Sequence, residues 1–476
     1  MKPNILFIVI DSLRADKCHG EKKTSVTPNI DSLIKNGTYF SQTITHGQST
    51  IPCMSSILTG LYPFESMSQN EDIFVINPKA ETYIENLEEF GYESYALVQE
   101  SLSHMGLDKI FKKNFEMYPV TLKTWTGLDK KIIQRIESFS KDEPWFYYIH
   151  LYDLYIPFNQ QDVKEVNNLD GLYSGDTTYD RMFSAIDESI GKMLENVDQE
   201  KTLIVITADH GHEKGAFTES MENIHQENRK VRKHEPGVGF KIGQKIAHKF
   251  PKSMLPVRKK LAEKYTSKAD EGIKERIKPE IEKIENSELR PYEKRLMKNA
   301  IAPTAHIYDD RVHVPLILSG YNVPTKNIIT QQVQSVDIFP TIAGIIGLLN
   351  TNYGRRGHSL VPLLKNGEIE EFPAFLESAT NSKRSSDSNV IGIRTSEYKY
   401  FRDRNEKTKN VHLYDLKNDP LEEHNVCEKN HDLVKKMEIT IEKILQSKSL
   451  EHDESKDLSK EEMKKARAVL SKLGYI

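Results

Sequence analysis

A Thr, two Asp and a His are the residues of this 476-residue chain whose types and spacing suit a metal-activated nucleophile. Thr50 stands in Ser49-Thr50-Ile51-Pro52-Cys53-Met54-Ser55-Ser56-Ile57-Leu58-Thr59-Gly60, Asp11 ends an early apolar run, and Asp209-His210-Gly211 lies far downstream. A Thr hydroxyl is a poor nucleophile at neutral pH, so an oxyanion able to attack sulfur or phosphorus needs a cation beside it, held by carboxylate and imidazole. Asp11, Asp209 and His210 supply that shell, and Thr50 completes it as both ligand and nucleophile. Two carboxylates and an imidazole suit one divalent ion such as Mn²⁺, Zn²⁺ or Mg²⁺, whereas a shell richer in oxygen suits Ca²⁺. Alone, Asp11 would read as a loop cap.

The elements that must position these groups are legible in the apolar pattern. Residues 5–10 form a continuous apolar run of strand length bounded by polar residues, as in a strand covered on both faces. Similar runs recur at 145–149, 203–207 and 314–318, separated by helical stretches such as 29–36, 81–90 and 179–194. This alternation predicts an α/β sheet flanked by helices, whose ligands sit at the carboxyl ends of the strands. Asp11 follows the first run, Asp209 and His210 follow another, and His150 and Asp153 follow a third. Three strands therefore aim titratable groups at one edge.

With 37% hydrophobic residues the chain can build a large core, and a net charge of -4 beside 29% charged residues gives no global argument for nucleic acid or an anionic membrane as partner. The first apolar run is too short for a signal-peptide core and cleavage site. Three cysteines, Cys18, Cys53 and Cys427, fit reduced thiols, so a cytoplasmic protein is expected. From about residue 213 to 304 basic residues outnumber acids and apolar runs disappear, as in an insertion into a catalytic domain spanning 1–370. Within it, Ile242, Ile246 and Phe250 recur every four residues beside Lys241, Lys245 and Lys249, a basic amphipathic helix able to touch an anionic surface through 240–261. A small-sheet subdomain is expected at 371–446, with strands at 390–394, 398–401 and 411–416 and a helix at 432–446. A helical tail follows at 447–476, where Ser459 and Glu462 form a capping box.

Read in order, these pieces resemble the sulfatase family of the alkaline phosphatase superfamily. The likeness rests on residues 4–16, on Thr27-Pro28-Asn29-Ile30-Asp31, on Leu58-Thr59-Gly60-Leu61-Tyr62-Pro63, and on Gly91-Tyr92 where the family places its next strand. It continues through Tyr179-Asp180, Ile186-Asp187, Ala208-Asp209-His210-Gly211, residues 313–317, Ile393-Arg394-Thr395, Tyr398-Lys399-Tyr400, Leu413-Tyr414-Asp415-Leu416 and Asp419-Pro420. The resemblance implies a central mixed, mostly parallel β-sheet flanked by helices, with a small C-terminal α+β subdomain.

The departures are more instructive. Thr50 occupies the place of the Cys or Ser that family sulfatases oxidise to formylglycine, and Thr cannot undergo that conversion, so no formylglycine is expected. Cys53 lacks both the Pro/Ala and the Arg of the modification motif. The Thr-x-Pro arrangement resembles the phosphodiesterase and phosphotransferase branches, in which a metal-bound Thr attacks phosphorus. Ser12 replaces a second family Asp, which weakens an all-oxygen calcium shell, and Tyr155 stands where a substrate-binding His is expected. His150 and His313 are then candidate catalytic residues, and Asp153, Tyr155 and His306 candidate contacts to substrate. The expected activity is a metal-dependent hydrolase or transferase of phosphate esters with Thr50 as nucleophile. The alternatives are a sulfuric ester hydrolase working with unmodified Thr, and a non-catalytic binding protein that keeps the fold. The expected partner is an anionic ester on a glycan or lipid-linked polymer; no sequence-specific nucleic-acid recognition is expected.

Overall fold

The computed structural model describes residues 2–21, 23–70, 73–77, 79–154, 175–218, 220–222, 275, 277–301, 306–348, 354–378 and 389–447. Tyr155, the 240–261 stretch and the capping box at Ser459 lie outside them. The strands, in chain order, are β1 Asn4–Ile10, β2 Gly37–Ile44, β3 Met67–Asn70, β4 Ile73–Ile76, β5 Glu93–Gln99, β6 Phe115–Tyr118, β7 Trp145–Leu151, β8 Thr202–Thr207, β9 His313–Gly320, β10 Asn327–Ile329, β11 Val333–Gln334, β12 Ala374–Glu377, β13 Val390–Arg394, β14 Tyr398–Asp403 and β15 His412–Asp415.

Nine strands form the large sheet in the order β10-β2-β9-β8-β1-β7-β5-β6, with β11 also on β2. Only β9 runs against its neighbours β2 and β8, so the sheet is mixed and mostly parallel. Every side chain from Ile5 to Ile10 is fully buried, which explains the unbroken apolar run: β1 sits between β7 and β8 and faces helices rather than water. Helices Pro28–Lys35, Leu128–Glu137 and Thr178–Leu194 pack as one group, and helices Thr50–Thr59, Tyr83–Glu89 and Ile338–Ile346 as another. Phe339 stacks on Phe7 of β1 with ring centroids 5.3 Å apart, anchoring the second group to the middle of the sheet.

A separate antiparallel sheet, β12-β13-β14-β15, follows the large one. Its side chains alternate in destination, as the two-residue period of a strand requires. Phe375, Ile391, Ile393, Tyr400 and Leu413 meet Met437 and Ile441 of helix His431–Gln446. Ala374, Leu376, Val390, Phe401 and Tyr414 meet Ile44, Ile307 and Val312. Strands β2, β3, β4, β6, β10, β11 and β12 are additions to the runs read from sequence, and β5 begins just after Gly91-Tyr92, where the resemblance expects a strand. The 216–304 stretch forms its own compact unit; its described part includes helix Pro291–Ile301. Among the described residues, no helix is long and apolar enough to cross a membrane.

Candidate active site

Because β7, β1 and β8 are adjacent and parallel, with Val9 level with both His150 and Thr207, their carboxyl ends deliver His150, Asp11 and Asp209 to one place. Ser12, just beyond β1, adopts a left-handed φ of 65°. This conformation is uncommon outside glycine and turns the Ser12 N–H onto Asp209 Oδ1 at 3.1 Å, while the Ser12 hydroxyl donates to Asp11 Oδ1 at 2.7 Å. The turn is held by the Tyr179 hydroxyl, which donates to the Ser12 carbonyl at 2.8 Å.

Thr50 opens helix Thr50–Thr59, whose ten residues are all buried. Its Oγ1 lies 3.1 Å from Asp11 Oδ2 and 3.4 Å from His210 Nε2. The first turn of a helix favours negative charge, so the backbone also supports an oxyanion at Thr50. Cys53 lies one turn further in, with no exposure, and burial pushes its thiol well above the ordinary range.

His210 Nδ1 sits 2.8 Å from the Gly211 carbonyl. A carbonyl only accepts, so Nδ1 carries the hydrogen and the Nε2 lone pair faces Thr50 and Asp209 Oδ2, the latter at 3.4 Å. Gly211 is required at this bend because a Cβ there would meet the Asp310 carbonyl oxygen at 2.3 Å. Asp209 Oδ1 takes the N–H groups of Ser12 and His210, whereas Asp209 Oδ2 is buried without a hydrogen-bond partner.

Asp11, Asp209 and His210 thus place one ligand atom each within 4.8 Å of one another, all buried. Neither carboxylate is ion-paired to a Lys or Arg among the described residues; the titratable groups nearest to them are the His150 and His210 imidazoles. Burial and the neighbouring Asp11 charge push the Asp209 carboxyl up. Burial opposes ionisation of Asp11 too, but contacts from His150 and His210 outweigh it and hold that carboxyl below its usual range. Two buried carboxylates, one with an orphaned oxygen, beside a hydroxyl and an imidazole lone pair, are a donor set that fits a divalent cation.

The other candidate residues are distributed around this cluster. His150 brings Nε2 to 3.6 Å from Asp11 Oδ2 and 4.0 Å from Asp209 Oδ2. Asp153 is buried, accepts the Thr124 N–H on Oδ1 at 2.9 Å and keeps Oδ2 without a hydrogen-bond partner; burial pushes its carboxyl up. The His306 backbone N–H donates to Gln48 Oε1 at 3.0 Å, two residues before Thr50. His313 Nε2 donates to the Ser41 carbonyl of β2 at 2.7 Å and is not among the contacts of the cluster. Sequence noted Ser12 only as the replacement of a second family Asp, since its left-handed turn leaves no pattern, and missed Tyr148, whose hydroxyl lies 2.7 Å from His150 Nδ1.

Comparison with known proteins identifies the family. The sulfatase family model matches residues 3–348, and the model for the C-terminal part of N-sulphoglucosamine sulphohydrolase matches residues 292–448. Arylsulfatase K of Danio rerio is 27% identical over 142 residues, which are 29% of this chain and 27% of the relative. Matched segments cover 32%, 27% and 19% of the curated relatives, a third of their length or less. Among solved structures, one from work on glycosaminoglycan metabolism by Bacteroides thetaiotaomicron has TM-score 0.63 at 14% identity, covering 94% of this chain and 96% of that one. The phosphonate monoester hydrolase of Agrobacterium radiobacter has TM-score 0.61 at 15% identity with the same coverages. At such identities the structural matches speak for the fold, while the family model spans the three strand ends and helix Thr50–Thr59 together. The chain belongs to the sulfatase family, within the alkaline phosphatase superfamily.

Proposed function

We propose that the protein is a metal-dependent hydrolase or transferase of phosphate esters in which Thr50 is the nucleophile. The observation that carries this reading is the position of Thr50 Oγ1, 3.1 Å from Asp11 Oδ2 and 3.4 Å from the His210 Nε2 lone pair, at the first turn of a buried helix. Asp11, Asp209, His210 and Thr50 would hold the ion. When bound, a divalent cation lowers the pKa of the Thr hydroxyl and neutralises charge on the phosphoryl oxygens.

The chain's own groups do the rest. Asp11 Oδ2 accepts the Thr50 hydrogen bond and fixes the direction of attack. Thr50 Oγ gives up its proton to solvent and bonds to phosphorus while the bond from phosphorus to the ester oxygen breaks in line, the departing oxygen taking a proton from solvent and leaving a phosphothreonine. Water or an acceptor hydroxyl then breaks the bond between Thr50 Oγ and phosphorus, which is where hydrolase and transferase part. Two carboxylates already balance a divalent charge, which favours a singly charged diester over a dianionic monoester. Asp153, whose carboxyl burial pushes up, keeps Oδ2 without a hydrogen-bond partner and is assigned a contact to an ester oxygen. His306, tied to the turn before Thr50 through Gln48, and Tyr155 are assigned to the same substrate-holding role. His313 is the least favoured catalytic position, since its Nε2 is committed to Ser41. The three free cysteines support a cytoplasmic site of action, on an ester carried by a glycan or lipid-linked polymer.

Sulfate-ester hydrolysis with unmodified Thr50 is the second reading, favoured by the arylsulfatase among the relatives. One assay separates the two: an aryl phosphodiester and an aryl sulfate offered to purified protein across a divalent-metal panel, with Thr50→Ala as control. Diester cleavage that depends on both metal and Thr50 is expected. Cleavage of the sulfate alone would transfer the assignment to the second reading.

A further inference from the structure

His150 is the buried group that the proposed reaction leaves unused, and its surroundings say what it does. The ring is fully buried, and Nε2 has no hydrogen-bond partner. Its distances of 3.6 Å to Asp11 Oδ2 and 4.0 Å to Asp209 Oδ2 are too long for hydrogen bonds. A buried polar atom aimed between two carboxylates, bonded to neither, is costly unless something sits among them. Two atoms each about 2.1 Å from a shared transition-metal ion lie roughly 3.0 to 4.2 Å apart in a five-coordinate shell, as the angle between their bonds runs from about 90° to about 180°. The separations around this cluster are 3.1 Å for Thr50 to Asp11, 3.4 Å for Thr50 to His210, 3.4 Å for His210 to Asp209, 3.6 Å for His150 to Asp11 and 4.0 Å for His150 to Asp209. His150 Nε2 belongs to the same set of edges.

The other ring nitrogen is held from behind. Tyr148, two residues earlier on β7 and therefore on the same face of the strand, places its hydroxyl 2.7 Å from His150 Nδ1. The Tyr118 hydroxyl donates to the His150 carbonyl at 2.7 Å, which fixes the backbone beneath the ring. A hydroxyl, unlike a carbonyl, serves either tautomer. It donates to Nδ1 when Nε2 carries hydrogen toward the two carboxylates, and accepts from Nδ1–H when Nε2 presents its lone pair. Metal-binding histidines are oriented in this second manner, by a partner on the far nitrogen.

We propose, resting on the metal reading above, that His150 Nε2 is a fifth protein ligand. Tyr148 then sets its tautomer, so that a shell of two imidazoles, two carboxylates and the Thr50 hydroxyl selects a borderline transition-metal ion over Ca²⁺ or Mg²⁺. The second imidazole is what distinguishes this shell from an oxygen site. His150 is thereby a ligand and not a proton carrier, and Tyr148 is a positioning residue.

The test is calorimetric titration of the metal-stripped full chain with Co²⁺ and with Ca²⁺, with the visible Co²⁺ spectrum recorded alongside. His150→Ala is expected to weaken Co²⁺ binding by about 100-fold or more and to change its spectrum, while Ca²⁺ affinity moves by less than about 3-fold. Tyr148→Phe, which keeps the ring in the core and removes only the hydroxyl, is expected to weaken Co²⁺ by about 10- to 100-fold; it carries the test if the alanine variant does not fold. Co²⁺ affinity and spectrum unchanged in both variants would overturn the proposal. Asp209→Ala keeps the two questions apart: if it binds Co²⁺ as the parent does, the metal reading itself fails, whatever His150 does.

Discussion

Two groups of buried charge in this molecule are built from similar residues and finished differently. Near the small sheet, Asp309 and Glu422 meet Lys399 and Arg394. Lys399 pairs with Asp309 and lies 2.8 Å from Glu422, and Arg394 grips Asp309 through Nε at 3.0 Å and Nη2 at 2.9 Å. Two carboxylates face two cations, and although burial works against ionisation, Arg394 and Lys399 hold the Asp309 carboxyl well below its ordinary range. At the strand ends, Asp11 and Asp209 are at least as deeply buried, and the basic side chains beside them among the described residues are imidazoles rather than Lys or Arg. The first cluster is complete within the chain and joins Asp309, just before β9, to β13 and β14. The second has no Lys or Arg partner among the described residues, so on the proposed reading its stability is tied to a bound cation. Buried acids without protein cations mark the place where folding free energy has been given up for chemistry.

This contrast is breakable at several points. The largest effect is expected from Lys399→Met, which removes the buried cation that bridges Asp309 and Glu422, leaves Arg394 alone to balance Asp309, and should cost about 3–5 kcal/mol in chemical denaturation. The kcat of the molecules that remain folded should be unchanged. Addition of the cognate metal should stabilise the parent by about 2.7 kcal/mol at a hundred times its Kd, seen as a rise in Tm that Asp209→Asn abolishes. In the metal-free protein Asp209→Asn should itself stabilise by about 1–3 kcal/mol, because it removes a like charge beside Asp11 while keeping the acceptor for the Ser12 and His210 N–H groups.

The two clusters also oppose each other in pH. Asp209 has a raised folded pKa, so its contribution to metal-free stability is full below the ordinary carboxylate pKa and is lost as pH rises through the folded value. Asp309 has a lowered one, so its contribution is present above the ordinary pKa and is lost as pH falls toward strong acid. Denaturation across pH should show the first slope vanish in Asp209→Asn and persist in Lys399→Met. The smallest effect is expected from His313→Gln, a loss of less than about 1 kcal/mol with kcat changed by less than about 3-fold; a larger fall in kcat would return His313 to the catalytic set.

The same two clusters show what a sequence discloses. The strand-end site was legible because its members sit at the ends of apolar runs: the buried strand signals Asp11, and a parallel sheet brings Asp209 and His150 to the same edge. The partner of His150 was within reach too, since Tyr148 is two residues away on one strand. The Asp309 cluster was not. Lys399 and Arg394 stood out only through resemblance to a family pattern, because an ion pair between residues ninety apart leaves no local period. Strand β2, Gly37-Thr38-Tyr39-Phe40-Ser41-Gln42-Thr43-Ile44, escaped notice because its polar residues break the apolar run, although six of the eight are buried. Ser12 was noted for its place but not for its turn, because left-handed backbone at a non-glycine residue follows from tertiary contacts such as Tyr179.

The most direct test of Thr50 as nucleophile is mass spectrometry of the Thr50 peptide after acid quench of metal-loaded protein turning over an aryl phosphodiester. A phosphoryl adduct on Thr50, absent from Thr50→Ala protein that has also lost turnover, is the predicted result. Continued turnover in Thr50→Ala, with no adduct on Thr50 in the parent, would contradict the account.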